Sequence, residues 1–137
     1  DVWGKEKTNA YYRQWQEIPN TQMVEGDYRD LFLTSDALIH DCGSFTTEYL
    51  HLHRPVMYLV HEGEDLSKHF NAFGMQSFAM HYHGKRSEDI EAFVADLLQC
   101  RATMREARET YYHQVLAPKS GDMPSRNIYD HLNRMLR

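Results

Sequence analysis

Cysteine is scarce: Cys42 and Cys100 are the two in 137 residues, and they form no CxxC pair. That argues against a disulfide scaffold and fits a reducing cytosol. Nowhere do about 18 apolar residues run together, so no segment reads as a membrane span. A basic excess is also missing, with 15 Lys and Arg against 20 Asp and Glu, a formal charge of −5. Domains that bind nucleic acid usually carry a basic patch or stripe, so no nucleic-acid partner is expected. Arg101, Arg105 and Arg108 recur at helical spacing beside Glu106 and Glu109, and read as a solvated helix face rather than a polyanion site. Internal repeats, low-complexity tracts and a signal-peptide pattern are absent too. The chain opens on Asp1, and the expectation is a piece of something longer.

What is present is ordinary for one globular domain: 42% hydrophobic and 26% charged residues. Residues 5–17 place Tyr11, Tyr12 and Trp15 at helical spacing, and Pro19 and Asn20 break the pattern. Residues 21–24 (TQMV) read as a short strand, and Asp27 as the N-cap of a helix carrying Tyr28, Leu31 and Phe32. Residues 36–39 (DALI) form an apolar run without alternation, as expected of a strand covered on both faces. Phe45 to Leu52 reads as a helix, and Pro55 opens a second strand, VMYLV. Strand, helix and strand at this spacing make a βαβ unit with a right-handed crossover. His61 to Gly84 reads as loop with short helical or strand pieces. Ser87 is expected to cap a helix with Ile90, Phe93, Val94 and Leu97 in a stripe, and the helical pattern continues to about Val115. A loop over 117–125 and a last helix from Arg126 to Leu136 complete an α/β domain with a helical tail.

The junction His40-Asp41-Cys42-Gly43-Ser44 carries the functional interest. It falls at the carboxyl end of a parallel strand, where open α/β sheets bind ligands. The helix behind it offers unpaired N–H groups and a positive dipole end, both favourable to phosphate. Gly43 permits close backbone approach, Ser44 and Thr46 offer hydroxyls, and Glu48 stands one turn on to accept from sugar hydroxyls. The alternative stays open on spacing alone: Ser44 caps its own helix and Gly43 turns the chain.

Other chemistries fit less well. A hydrolase elbow around Ser44 needs glycines where Cys42 and Thr46 stand. Cys42 beside His40 reads as a small half-buried thiol. His81 and His83 would share one face of a strand, but no third metal ligand is recognisable. His51 and His53 on a helix would point apart. The acidic loop HEGED reads as solvated rather than as a cation site. No metal or cofactor is expected.

Residues 27–60, DYRDLFLTSDALIHDCGSFTTEYLHLHRPVMYLV, resemble the donor-binding half of the CDP-glycerol glycerophosphotransferases, which build teichoic-acid-type polymers of the cell envelope. The family pattern is an aliphatic strand after Ser-Asp, then Asp-Tyr-Ser-Ser, an aromatic, two residues and an acid. Asp36, Leu38, Ile39, Asp41, Ser44, Phe45 and Glu48 fall on it, and Arg54 and Pro55 match the Lys/Arg-Pro that follows. Near the end, GDMPSRNIYDHL matches a second motif with Gly121, Ser125, Arg126 and Ile128, so the likeness runs from about Trp15 to Leu136. Departures are Cys42 for an aromatic, Gly43 for the first serine and His40 for a common threonine; they bear on donor preference.

The resemblance implies the C-terminal half of a GT-B enzyme: a Rossmann-like parallel sheet with helices on both faces and a helical tail. A CDP-activated donor would be held by Asp41, Gly43, Ser44, Phe45, Thr46, Glu48, Ser125 and Arg126. The acceptor domain and the catalytic base are implied upstream, with a lipid-linked or polymer acceptor. The full protein would be cytoplasmic, able to sit at the inner membrane face, while this piece alone would be inactive. Two alternatives stand beside it. One is another GT-B domain, of a nucleotide-sugar glycosyltransferase or a UDP-N-acetylglucosamine 2-epimerase relative. The other is a non-catalytic relic of the fold.

Overall fold

The computed structural model describes residues 3–101, 103–119 and 121–136. The chain divides into two compact units, Asp1–Thr34 and Ser35–Arg137. In the first, helix α1 (Gly4–Glu17) buries none of its residues. Its aromatics pack edge to face, Trp3 on Tyr11 at 5.3 Å and Tyr11 on Trp15 at 6.1 Å. Residues 21–24 are not a strand. Instead of joining a ladder, the Thr21 hydroxyl donates to the carbonyls of Trp15 and Ile18 and closes the end of α1. Helix α2 (Arg29–Thr34) has Tyr28, not the expected Asp27, at its N-cap, with the Tyr28 carbonyl accepting the Phe32 N–H at 3.0 Å. Asp27 stands one residue earlier, and its Oδ1 accepts the Arg29 N–H at 3.0 Å.

The second unit holds a parallel sheet in the order β1 (Leu38–His40), β2 (Val56–Leu59), β3 (Tyr82–Gly84). The two expected strands are neighbours, with Leu38 opposite Val56 and His40 opposite Tyr58. Tyr58 in turn pairs with His83. Between β1 and β2 lies α3 (Phe45–Glu48), drawn out as a 3-10 turn over Tyr49–Leu52. Between β2 and β3 lies α4 (Ala72–Phe78), capped by the Asn71 side chain on the Gly74 N–H at 2.8 Å. The crossovers are therefore helical, and α3 packs on α4.

The core is made by Tyr49, Leu50, Val56, Met57, Tyr58, Phe78, Phe93 and Tyr111. Helix α5 (Ser87–Leu98) packs back along β3 and buries Phe93 of its expected stripe, while Val94 stays exposed. Ser87 is its first residue rather than its cap. Asp89 performs the capping, accepting the N–H groups of Lys85 at 2.9 Å and Arg86 at 3.0 Å. The tail comprises α6 (Arg105–Tyr111), a π turn (Tyr112–Leu116) and α7 (Pro124–Met135). Proline at the first turn of α7 sets its start two residues before the expected one. Ser120, in the loop before it, lies outside the described residues. The chain is thus a Rossmann-like α/β fold with a helical tail. Among the described residues, no helix is long and apolar enough to cross a membrane.

Candidate functional site

Strand β1 delivers the chain to the carboxyl edge of the sheet at Asp41, and α3 carries it away from Phe45. The turn between them is exposed at Asp41, Gly43 and Ser44. A Cβ built on Gly43 would come no nearer than 3.8 Å to the Phe70 ring, and its φ is outside the left-handed region. The fold therefore does not require glycine there, and the bare backbone faces whatever approaches the turn.

Ser44 stands at the N-cap of α3 with helical φ −68° and ψ −39°, and its side chain makes no capping bond. Its carbonyl, not its hydroxyl, serves the helix, accepting from Thr47 and Glu48 at 3.3 Å. The hydroxyl lies 3.3 Å from the Cys42 sulfur. That thiol is held below its ordinary value, first by the Ser44 hydroxyl and then by the N–H groups of Phe45 and Ser44, against opposing burial and the charge of Asp41. Three donors thus gather about one point at the mouth of the turn, the arrangement that favours an electron-rich atom.

Thr46 points inward. It is buried, and its hydroxyl donates to the Cys42 carbonyl at 3.3 Å. Tyr58 ties the turn from beneath, donating to the Asp41 carbonyl at 3.2 Å. The exposed Asp41 carboxylate lies 3.5 Å from His61 Nε2, an ion pair when the imidazole is protonated. Phe45 rests its ring 6.0 Å from that of His40, and Glu48 ends α3 on the exposed side. Asp41 to Glu48 are therefore one cluster. Ser125 and Arg126 lie apart in the first turn of α7, where Arg126 donates to Asp130 at 3.0 Å and stacks over Tyr129. No described hydrogen bond or ion pair joins them to the β1–α3 turn.

Behind the turn lies a pair that spacing did not reveal. His40 is 7% exposed and His81 2% exposed, with rings 5.3 Å apart. Nδ1 of His40 meets the Cys42 backbone at 3.1–3.2 Å, and Nδ1 of His81 donates to the Ser77 carbonyl at 3.0 Å. Among the described residues, neither Nε2 has a partner, and both are buried. Burial lowers both imidazoles, His81 to about 3, and both stay neutral at pH 7. His83 does not join His81 as a ligand pair, since its ring stacks on Phe78 at 4.0 Å. Among the described residues no group of three His, Cys, Asp or Glu could hold a metal. Two carboxylates of the HEGED loop serve the loop itself, Glu64 accepting from the His61 N–H and Asp65 from Ser67. His51 and His53 do not diverge; both rings lie against Tyr112, at 5.7 and 4.5 Å.

A family model described as CDP-glycerol:poly(glycerophosphate) glycerophosphotransferase matches residues 9–131. The chain belongs to that family. No curated protein and no solved structure matches it. The glycerophosphotransferase match takes in both the β1–α3 turn and the start of α7, and it makes this a domain of transferase type. CDP-glycerol is the donor that the family's description carries.

Proposed function

We propose that this chain is the donor-binding domain of a glycerophosphotransferase acting in teichoic-acid-like polymer synthesis. It is read as the C-terminal half of a GT-B enzyme whose acceptor domain and catalytic base lie outside it. The acceptor, lipid-linked or polymeric, would attack the β-phosphorus of CDP-glycerol, with CMP leaving. The work of this half is electrostatic: fixed donors about the pyrophosphate offset charge on the departing phosphate. Ser44 and the N–H groups beside it would contact phosphate, and Gly43 would let the pyrophosphate come close. Thr46 would hold the turn through the Cys42 carbonyl, and Glu48 would accept from ribose or glycerol hydroxyls. Asp41 and Phe45 would border the donor. Ser125 and Arg126 would come to the phosphates from α7, the guanidinium offering a planar fork in place of its bond to Asp130.

The observation that carries this reading is the exposed Ser44 hydroxyl, which does not cap its own helix although it stands at the N-cap. A hydrogen bond to a charged phosphate contributes about 1.5–3 kcal/mol, so Ser44→Ala should weaken CDP-glycerol binding roughly tenfold or more. Melting should barely change, whereas a true cap would cost about 1 kcal/mol. Arg126→Ala should likewise lose affinity while melting as the parent does, since its partner Asp130 is an exposed i,i+4 contact. Calorimetric titration with CDP-glycerol and thermal melts of both variants check this. Variants that melt lower yet bind as tightly as the parent would place the donor elsewhere.

A further inference from the structure

Helical spacing makes Arg108 part of a solvated face, but the fold buries it: Arg108 is 1% exposed, while Arg101 and Arg105 are exposed and paired with Asp96 and Glu109. Among the described residues, none of the three guanidinium nitrogens of Arg108 meets a partner in good hydrogen-bond geometry. Tyr82 lies within hydrogen-bonding reach and, with the Glu109 carboxylate further off, favours its charge, but the Tyr82 hydroxyl is also engaged by the Thr103 N–H at 2.9 Å and Oγ1 at 3.2 Å. A guanidinium removed from water without a carboxylate is costly, and an anion nearby offsets that cost.

Arg108 lines a cavity of about 470 Å³ together with His53, Arg54, Arg105, Asp36 and the apolar Leu97. The volume suits a small ligand. The cavity lining carries three arginines and one carboxylate, and Arg54 donates to the Ser35 carbonyl. Arg105 reaches Glu109 through Nε at 3.0 Å. His53 adds a buried Nδ1 without a partner and a left-handed backbone, φ 56°, uncommon for a residue with a side chain. Asp36 precedes β1 and Arg54 precedes β2, so the cavity opens at the amino edge of the sheet. The β1–α3 turn is at the carboxyl edge, a strand length away, on the order of 10 Å.

We propose that this cavity is a second anion site, which takes a small phosphate- or pyrophosphate-bearing molecule through Arg105 and Arg108 and is separate from the donor turn. The inference does not rest on the donor reading, and its test separates the two. The chain is titrated calorimetrically with sodium pyrophosphate and with inorganic phosphate, at ionic strength held constant with chloride. The parent should bind pyrophosphate saturably. Arg108→Met should weaken that binding at least tenfold and Arg105→Ala several-fold, Asp36→Asn should tighten it, and Arg101→Ala, at an exposed arginine paired with Asp96, should leave it unchanged within twofold. No saturable binding by the parent would overturn the proposal. So would parent-like affinity in Arg108→Met, or a loss in Arg101→Ala as large as in Arg108→Met. Should Arg108→Met not fold, Arg105→Ala and Asp36→Asn decide by their opposite directions, and equality of both with the parent overturns it.

Discussion

His81 lies against His40 and the Ser77 carbonyl, and burial first, then its neighbours His40, His83 and Arg108, hold its pKa at about 3 against an ordinary 6.5. In the unfolded chain this imidazole takes a proton as pH falls below 6.5, while in the folded chain it refuses one until about 3. Stability is therefore full above 6.5 and is lost as pH falls through that window, by up to about 1.4 kcal/mol per unit from this group. Urea midpoints at pH 7.5 and pH 5 should differ markedly for the parent and less for His81→Gln, which cannot titrate. An equal pH slope in both would mean that the imidazole is not held neutral. The residue scale is also where sequence misleads most. A period of 3.6 puts Arg101, Arg105 and Arg108 near one helical face but cannot say whether anything covers it. Ser44 reads from spacing as a ligand or a cap, and the backbone angles and hydroxyl show only that it makes no capping bond.

Helices α3, α4 and α6 are joined by a chain of hydroxyls. Thr47 Oγ1 donates to Ser77 Oγ at 3.0 Å, and Ser77 Oγ meets Tyr111 Oη at 2.9 Å, with Ser77 at 0% exposure. Ser77→Ala leaves two hydroxyls short of a partner, at a cost of about 1–3 kcal/mol. Tyr111→Phe should cost less, and the double variant should lose less than the sum of the two singles. Thermal melts check this, and an unchanged melting point for Ser77→Ala would contradict it. The βαβ core was legible because DALI and VMYLV are apolar runs flanked by turn residues; the first strand begins at Leu38, two residues later than the pattern suggested. Helix α4 and strand β3 were legible only as short helical or strand pieces without bounds within residues 61–84. β3 is three residues long and alternates only partly, and the His and Phe around it serve packing rather than a repeat.

For the whole molecule, the charge of −5 predicts that a DNA or RNA oligonucleotide will show no salt-sensitive, submicromolar binding. Fluorescence anisotropy across a salt series reads this out, and a steep fall of affinity with salt from a submicromolar value would refute it. The two motifs that carried the family likeness, at Asp41–Glu48 and Ser125–Arg126, both fall within the matched residues 9–131. The family they point to was visible in residue type and order. The commitment of Thr46 to the turn's own carbonyl, and of Arg126 to Asp130, was not, because hydrogen-bond partners depend on rotamers that spacing does not encode. The most direct measurement is a calorimetric titration of this chain with CDP-glycerol, CDP, CMP, UDP and a UDP-sugar under one buffer. CDP-glycerol should bind saturably and at least about tenfold more tightly than the UDP-sugar, a difference of roughly 1.4 kcal/mol. Tighter binding of the UDP-sugar, or no binding of any nucleotide, would contradict a CDP-glycerol donor domain.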